Sequence, residues 1–451
     1  RVSCKTAFDA VVDGCRDYTL EKAENISEVP AKVIRDLTLE YVSTSPASLW
    51  LGQGSQRYHN GHLTYRAVIT LAALTGNIGK RHAGANWGGG TLFRLLISMP
   101  QSWLQPGGKT GRSYPGTRLH EIIATGDPYP IKSLWTQNYG FATQSPRRNK
   151  FINEVLPHLE LFVVSEQIMT PAARYADIVL PVVSYYEEEA DIIPSWNNMY
   201  VQLRKQAIKP VGEAKADWDI LKGVCGKLGH GDDWQMSAEE SCAYILKNSE
   251  DPIFRNIDWN TLKRDGVVRA AIDDPHIPFK DLKFQTPSGK IEIYTEGLRE
   301  HGQEVPSYVE PLESNRRPKA NKYPLTFMTN HSLFSANSQH MVLPWIHEVS
   351  PEPRIEMHPL DASARNVADG DVVKIFNDRG RFTAHVTVTE GIVPGALNLA
   401  QGWWPEHFIE GHHSDVTHMT LNPAQEAIVE TNYAISDCLV EVERDTIAED
   451  Q

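Results

Sequence analysis

Two glycine-bearing stretches are the first places in this sequence where residue type and spacing could do chemistry. Residues 52–57 read GQGSQR, half of a G-x-G-x-x-G dinucleotide fingerprint with Arg57 where the third glycine would stand. Glycines let a backbone approach a phosphate closely, and an arginine can pair with that phosphate through two N–H groups. The same six residues also suit a plain strand-to-helix turn, so spacing alone leaves both readings open. The triplet Gly88–Gly90 is open in the same way, between close approach to a ligand and an ordinary loop. The acidic run Glu187–Glu189 with Asp191 has the oxygens to hold a cation, although such runs more often form a solvated turn. His412 and His413, beside Gly411, read as a solvated loop rather than a metal pair.

Other chemistries find no support. Ser, His and Asp are plentiful but stand in no triad-like arrangement, and the G-x-S-x-G elbow is absent. The five cysteines (Cys4, Cys15, Cys225, Cys242 and Cys438) include no pair at the two-residue spacing of zinc or iron–sulfur motifs. Isolated thiols are expected, and no metal cluster held by these residues alone. A net charge of −13 speaks against a nonspecific nucleic-acid binder. No apolar run approaches the ~18 residues needed to span a bilayer, and the composition is that of a soluble globular chain.

The elements that must position these residues change character along the 451 residues, a length that suits about three domains. The first 45 or so read as helices, with Pro30 in a first turn. A short strand at 47–52 enters the GQGSQR turn, a long apolar helix follows to Gly76, and residues 84–91 read as a loop. Between 131 and 183, strands and helices alternate, which predicts a parallel sheet whose strand-end loops, at 137–141 and 165–170, bind ligands. Residues 187–262 read as helical, and FQTPSGKIEIY (284–294) as a turn and a strand. A polar, proline-rich segment at 301–322 reads as a linker. Beyond it, short strands separated by Gly370, Gly380, Gly391 and Gly395 predict a compact β-barrel. Trp403 and Trp404 read as core residues in preference to a substrate funnel.

Four ordered segments carry a family resemblance. The string GQGSQRYHNG…YRAVITLAALTGNIGKRHAGAN resembles a characteristic stretch of the molybdopterin oxidoreductases, the dimethyl sulfoxide reductase family. LFVVSEQIMTPAARYADIVLP resembles their second nucleotide-binding strand–loop–helix, and FQTPSGKIEIYTE the approach to their last domain. RIEMHPLDASARNVADGDVVKIFNDRGRFTAHVTVTEGIVPGAL resembles their molybdopterin dinucleotide-binding barrel. The resemblance spans about residues 45–445. It implies an α/β fold with a Rossmann-like parallel-sheet part at about 131–200 within residues 1–300. The linker at 301–322 then leads to a double-psi-type barrel at 323–451.

The resemblance also implies a cofactor, molybdenum or tungsten held by two molybdopterin guanine dinucleotides. The metal-ligating residue and any iron–sulfur cluster of such enzymes lie upstream of the matched region, so the chain is expected to be the C-terminal part of a longer polypeptide, incomplete alone. By resemblance, Gly52, Gly54 and Arg57 lie near pterin or phosphate, and Gly89, Gly90 and Thr91 approach a pterin. Gln137 and Asn138 occupy the strand-end loop, Glu166 reads guanine or ribose, and Thr170 and Asp177 follow it. In the barrel, Thr329, Asn330, His331 and Ser332 match the polar loop after the first strand. Asn432 and Tyr433 fall near the last polar contact, and Gln401 is a weaker candidate.

This sequence departs from the family where Tyr139 replaces a proline. It departs again where Asp191–Ile192 and Asn198–Met199–Tyr200 replace Gly-Thr and Glu-Gly-Arg pieces. The implied function is oxidation or reduction of a small substrate, with a partner subunit for electron transfer. A non-redox hydratase or hydroxyl transferase like the acetylene hydratases, or a non-catalytic nucleotide-binding chain, is the alternative.

Overall fold

The computed structural model describes residues 4–87, 116–195, 197–249, 251–426 and 433–445. They fall into two compact units. The first gathers Arg1–Ser55, Gly61–Ser113 and Val183–Tyr308; the second gathers Gln56–Asn60, Tyr114–Val182 and Val309–Gln451. Gly89, Gly90, Thr91 and Asn432 lie outside the described residues.

The first unit opens with helices Ala7–Cys15, Leu20–Ser27 and Ala31–Ser43. Thr6 starts the first by accepting from the Asp9 amide while the Asp9 carboxylate accepts from the Thr6 amide, a reciprocal cap. Strand β1 (Ser48–Leu51) pairs in parallel with β2 (Gly84–Trp87). Residues 84–87 are therefore a strand and not the start of a loop. A parallel pair needs a crossover, and the helix Gly61–Leu74 supplies it. The buried Asn77 closes the crossover by accepting the Ala47 amide at 3.1 Å.

In the second unit β3 (Ser133–Gln137), β4 (Leu161–Glu166) and β5 (Ile178–Pro181) form a parallel sheet in that order. Phe141, Phe151, Val155 and Ile123 cover it, packed against Phe162 and Val164. The α/β rhythm between 131 and 183 thus builds the sheet it predicts.

Back in the first unit, β6 (Ala190–Pro194), β7 (Tyr200–Lys205) and β8 (Val267–Arg269) form an antiparallel sheet. The helical reading of 187–262 is corrected over β6 and β7. The buried residues there, Ile192 and Val201, face helices Ala238–Asn248 and Trp259–Asp265 through Leu246 and Leu262, and tertiary packing overrides the local pattern. Residues 284–294 form turns with no ladder partner, so the strand expected there is also corrected.

The C-terminal part of the second unit is a β-barrel. It uses β9 (Leu325–Asn330), β10 (Arg354–Met357), β11 (Val372–Asn377), β12 (Gly380–Val388), β13 (Ala396–Ala400), β14 (Glu410–Gly411) and β15 (Leu439–Arg444). The order β10-β13-β9-β15-β11-β12 closes on itself through a parallel β10–β12 pairing, and β14 adds to β12. Phe327, Ile355, Ile375, Phe382, Leu397, Leu399 and Val440 fill the interior, as alternation along each strand requires. Trp403, Trp404 and Phe408 extend this core.

The proline-rich segment before the barrel is anchored by a buried charge. Glu313 accepts from Arg379 Nη1 at 2.5 Å and Nη2 at 3.0 Å, from Lys319 Nζ at 2.5 Å and from the Leu439 amide at 2.9 Å.

Candidate functional site

In the parallel sheet the carboxyl ends of the strands carry the expected polar side chains. Gln137 ends β3 in register with Ser165, and Asn138 follows with φ +52°, a left-handed conformation that Asn tolerates. Trp135 Nε1 donates to Ser165 Oγ at 2.8 Å and rivets the two strands just before their ends. Glu166 ends β4 half-buried, its Oε1 accepting the Gln167 amide at 2.9 Å. Thr170 Oγ1 accepts the Ala173 amide at 3.3 Å and starts the turn Ala173–Tyr175. Asp177 stands apart. Its Oδ2 accepts the Phe162 amide at 2.7 Å, and its own amide donates to the Phe162 carbonyl at 2.9 Å. That is the opposite end of β4 from Glu166, where the carboxylate ties β5 to β4.

The barrel offers a second polar loop. Thr329 and Asn330 end β9 beside Leu399 and Ala400 of the parallel β13. The Gln401 amide donates to the Asn330 carbonyl at 2.9 Å. Gln401 Nε2 donates to Asn337 Oδ1 at 2.6 Å and stands 3.4 Å from His331 Nδ1. Ser332 Oγ accepts the Phe334 amide at 3.0 Å. Gly402 (φ +112°) packs so closely that a Cβ there would stand 2.0 Å from the Asn337 carbonyl oxygen. An ion pair between Arg174 and Glu406 at 2.9 Å joins the turn after β4 to the turn after β13. One turn of the sheet and one turn of the barrel are thereby linked within this unit.

A third element of the same unit is the short segment 56–60. The Ser436 amide donates to the Arg57 carbonyl at 3.0 Å, and the His59 amide donates to Asp437 Oδ2 at 3.2 Å. Tyr433 donates its hydroxyl hydrogen to the Thr117 carbonyl. Burial raises the Tyr433 phenol pKa, with Tyr139 adding to the shift. In the first unit, a Cβ on Gly52 or Gly54 would meet nothing within 4 Å, and Tyr65 donates to the Gly52 carbonyl at 2.5 Å.

Residues 8–227 match the molybdopterin oxidoreductase family, and residues 325–433 match the molybdopterin dinucleotide binding domain. The chain belongs to the molybdopterin oxidoreductase family. It is 30% identical over 454 residues to a Halobacterium salinarum protein named for the catalytic subunit of dimethyl sulfoxide reductase, covering 97% of this chain and 52% of that one. It is 29% identical to the dimethyl sulfoxide/trimethylamine N-oxide reductase of Rhodobacter capsulatus, covering 86% and 52%. Against the F420-dependent formate dehydrogenase alpha subunit of Methanocaldococcus jannaschii the figures are 27%, 92% and 61%. The chain thus spans about half the length of the relatives it matches. Acetylene hydratase from Pelobacter acetylenicus shares the fold, with a TM-score of 0.78 and 19% identity, covering 98% of this chain and 66% of that one.

A molybdopterin dinucleotide fits the donor set of these loops. Glu166 can accept paired N–H groups of a purine, and the Asn, Gln, Ser, Thr and His side chains can bind hydroxyls and phosphate oxygens. Among the described residues nothing stands within 4 Å of where a Cβ on Gly52 or Gly54 would lie, so a ligand can approach the backbone there. Among the described residues no three His, Cys, Asp or Glu side chains come together as metal ligands. No helix among them is long and apolar enough to cross a membrane.

Several other sequence readings change. His412 and His413 are buried, not solvated: His412 hydrogen-bonds Ser414 Oγ at 2.7 Å and the Trp403 carbonyl at 3.1 Å. Burial drives the His412 pKa well below its usual value and the His413 pKa down to about 4. Glu187 in the acidic run accepts the amides of Ser184 and Val211, both at 2.7 Å, while Glu188 and Asp191 pair with Arg204. Those acids hold the chain together. Asn337 and Asp437, which shape the loops above, carry no motif, and only their long-range partners identify them.

Proposed function

We propose that this chain holds the dinucleotide cofactor of a molybdenum or tungsten oxidoreductase acting on a small substrate, with a partner subunit for electron transfer. The observation that supports this reading is the chemistry of the strand ends in the second unit: Gln137 and Asn138 follow β3, Glu166 ends β4, and the Asn330–Ser332 loop follows β9, while the Arg174–Glu406 pair links the turns after β4 and β13. In the proposed complex Glu166 accepts from the guanine N1–H and N2–H of a molybdopterin guanine dinucleotide. Gln137, Asn138 and Thr170 hydrogen-bond its ribose or base, and Asn330, His331 and Ser332 bind its phosphates or pterin. Arg57 meets pterin or phosphate, and Gly52 and Gly54 of the first unit let pterin or phosphate approach their own backbone. Asp177 ties β4 to β5, so it supports the sheet without touching the ligand. When bound, the metal–pterin group supplies the redox chemistry, and the protein positions and tunes it.

The test is the guanine and pterin content of the purified protein, read as released guanine nucleotide and as oxidised pterin fluorescence, with metal by mass spectrometry. Pterin and guanine nucleotide in equal amounts are expected, and Glu166→Ala should lower the retained dinucleotide at least tenfold. Wild-type protein that carries no pterin and binds no guanine dinucleotide in calorimetry, just as Glu166→Ala does, would sink the reading. A viologen-dye assay of the loaded protein separates substrate oxidation or reduction, which turns the dye over, from hydration, which does not.

A further inference from the structure

Residues 56–60 belong to the second unit, whereas the described residues on either side of them, up to Ser55 and from Gly61, belong to the first. Gln56 and Arg57 end the 3-10 turn Gln53–Arg57, and the half-buried peptide groups of His59 beyond it need partners elsewhere. The peptide groups of His59 find them in two side chains. Its N–H donates to Asp437 Oδ2 at 3.2 Å, and its C=O accepts from Asn422 Nδ2 at 2.6 Å. Asn422 Nδ2 also donates to Asn60 Oδ1 at 3.1 Å, while Asn422 Oδ1 accepts the Ala424 amide at 2.9 Å. Both clamping residues are buried, Asn422 at 3% exposure and Asp437 at 1%.

Asp437 is held in turn. Its Oδ2 also accepts the Leu312 amide at 3.2 Å, and His418 Nε2 donates to its carbonyl at 2.7 Å. Its Oδ1 is buried with no hydrogen-bond partner among the described residues. A carboxylate with a bare buried oxygen is costly to keep, and a neutral apolar residue would pack there more cheaply. Two residues before His59 stands Arg57, whose carbonyl accepts the Ser436 amide at 3.0 Å.

We infer that Asp437 and Asn422 are positioning residues, a clamp on both polar groups of the His59 peptide that sets the backbone from which Arg57 reaches an anionic group of the cofactor. The inference rests on the reading above only for what Arg57 touches. Asp437→Ala and Asn422→Ala free the 56–60 backbone, whereas Asp437→Asn keeps an acceptor for the His59 and Leu312 amides.

Hydrogen exchange and dinucleotide release, followed on the cofactor-loaded chain, test this together. In Asp437→Ala, exchange of amides 57–60 is expected to rise at least tenfold with the parallel sheet unchanged, and dinucleotide release to quicken about tenfold. Asp437→Asn should restore both. Arg57→Ala should quicken release to the same extent, and adding Asp437→Ala to it should change release no further. Uniformly raised exchange across the unit, or release effects that add in full, would overturn the clamp in favour of a purely structural role. If Arg57→Ala leaves release unchanged, the assignment of Arg57 to the cofactor fails. The exchange measurement then decides the clamp alone, and protection at 57–60 that survives Asp437→Ala refutes it.

Discussion

Replacing Glu313 by Gln is expected to destabilise the barrel unit by roughly 3–5 kcal/mol, the cost of breaking a buried ion pair from one side. Glu313 is 9% exposed and Arg379 11%, and the carboxylate accepts four hydrogen bonds, two of them from the Arg379 guanidinium. Burial by itself would raise the Glu313 pKa. The bonds from Arg379, the Leu439 amide and Lys319 overcome it and hold the pKa at about 2. Against an unfolded glutamate near ~4.3, that is about 2 units, or about 3 kcal/mol favouring the ionised native form. Because the folded pKa is depressed, this contribution is complete above pH ~4.3 and is lost as pH falls towards ~2. The gap between wild type and Glu313→Gln should therefore be constant from pH 8 to 5 and shrink below pH 4. Urea unfolding followed by tryptophan fluorescence measures it, since Trp403 and Trp404 lie in the barrel core. The double replacement Glu313→Leu with Arg379→Met should recover part of the loss, because the buried guanidinium is no longer orphaned while Lys319, 30% exposed, still has Asp378 at 4.0 Å. A Glu313→Gln penalty under 1 kcal/mol at pH 7, or a gap that stays constant down to pH 3, would refute the reasoning.

Three further outcomes follow from the same geometry. Gly402→Ala should cost about 3 kcal/mol in urea unfolding, because its Cβ would overlap the Asn337 carbonyl and its φ of +112° disfavours any side chain; an unchanged midpoint would count against that packing. His413 is neutral in the fold, its pKa lowered by burial to about 4 against ~6.5 when unfolded, so its contribution is present above pH 6.5 and lost as pH falls to 4. His413→Phe should remove up to about 3 kcal/mol of that acid loss, seen as a flatter stability–pH curve between those limits. Asp437 runs the other way, since burial lifts its pKa to about 6 and its favourable contribution disappears as pH rises through that value. The stability difference between wild type and Asp437→Asn should accordingly move by about 2–3 kcal/mol against wild type between pH 4 and pH 8, and a pH-independent difference would show that Asp437 does not titrate there.

How much of this could be read beforehand depended on the range of the interactions. The crossover helix Gly61–Leu74, with Gly76 just beyond it, and the strands ending at Gln137 and Glu166 are local matters, visible as apolar runs and turn residues. The barrel strands announced themselves through glycines spaced between short apolar runs. The strands at 190–205 did not, because Ile192 and Val201 are committed to that sheet by helices some forty to seventy residues further on. The two ends of β4 were also invisible: Glu166 and Asp177 both follow apolar stretches of one motif, and only the ladder shows that they stand at opposite ends of the same strand. The pairing His412–His413 looked polar in the sequence and is buried because Trp403 and Phe408 close over it.

The sequence alone therefore determined the family, the order of the segments and the kinds of side chain that end each strand. Those are set by local propensity and by ordered motifs. The tertiary structure decided which of those side chains meet. His59 and Asp437 are 378 positions apart and hydrogen-bond all the same; Gln401 and Asn337 are 64 apart and share a loop. Such partners are brought together by closure of the barrel and packing of the sheet. No local pattern encodes them, because the free energy that unites them belongs to the buried core rather than to the residues themselves.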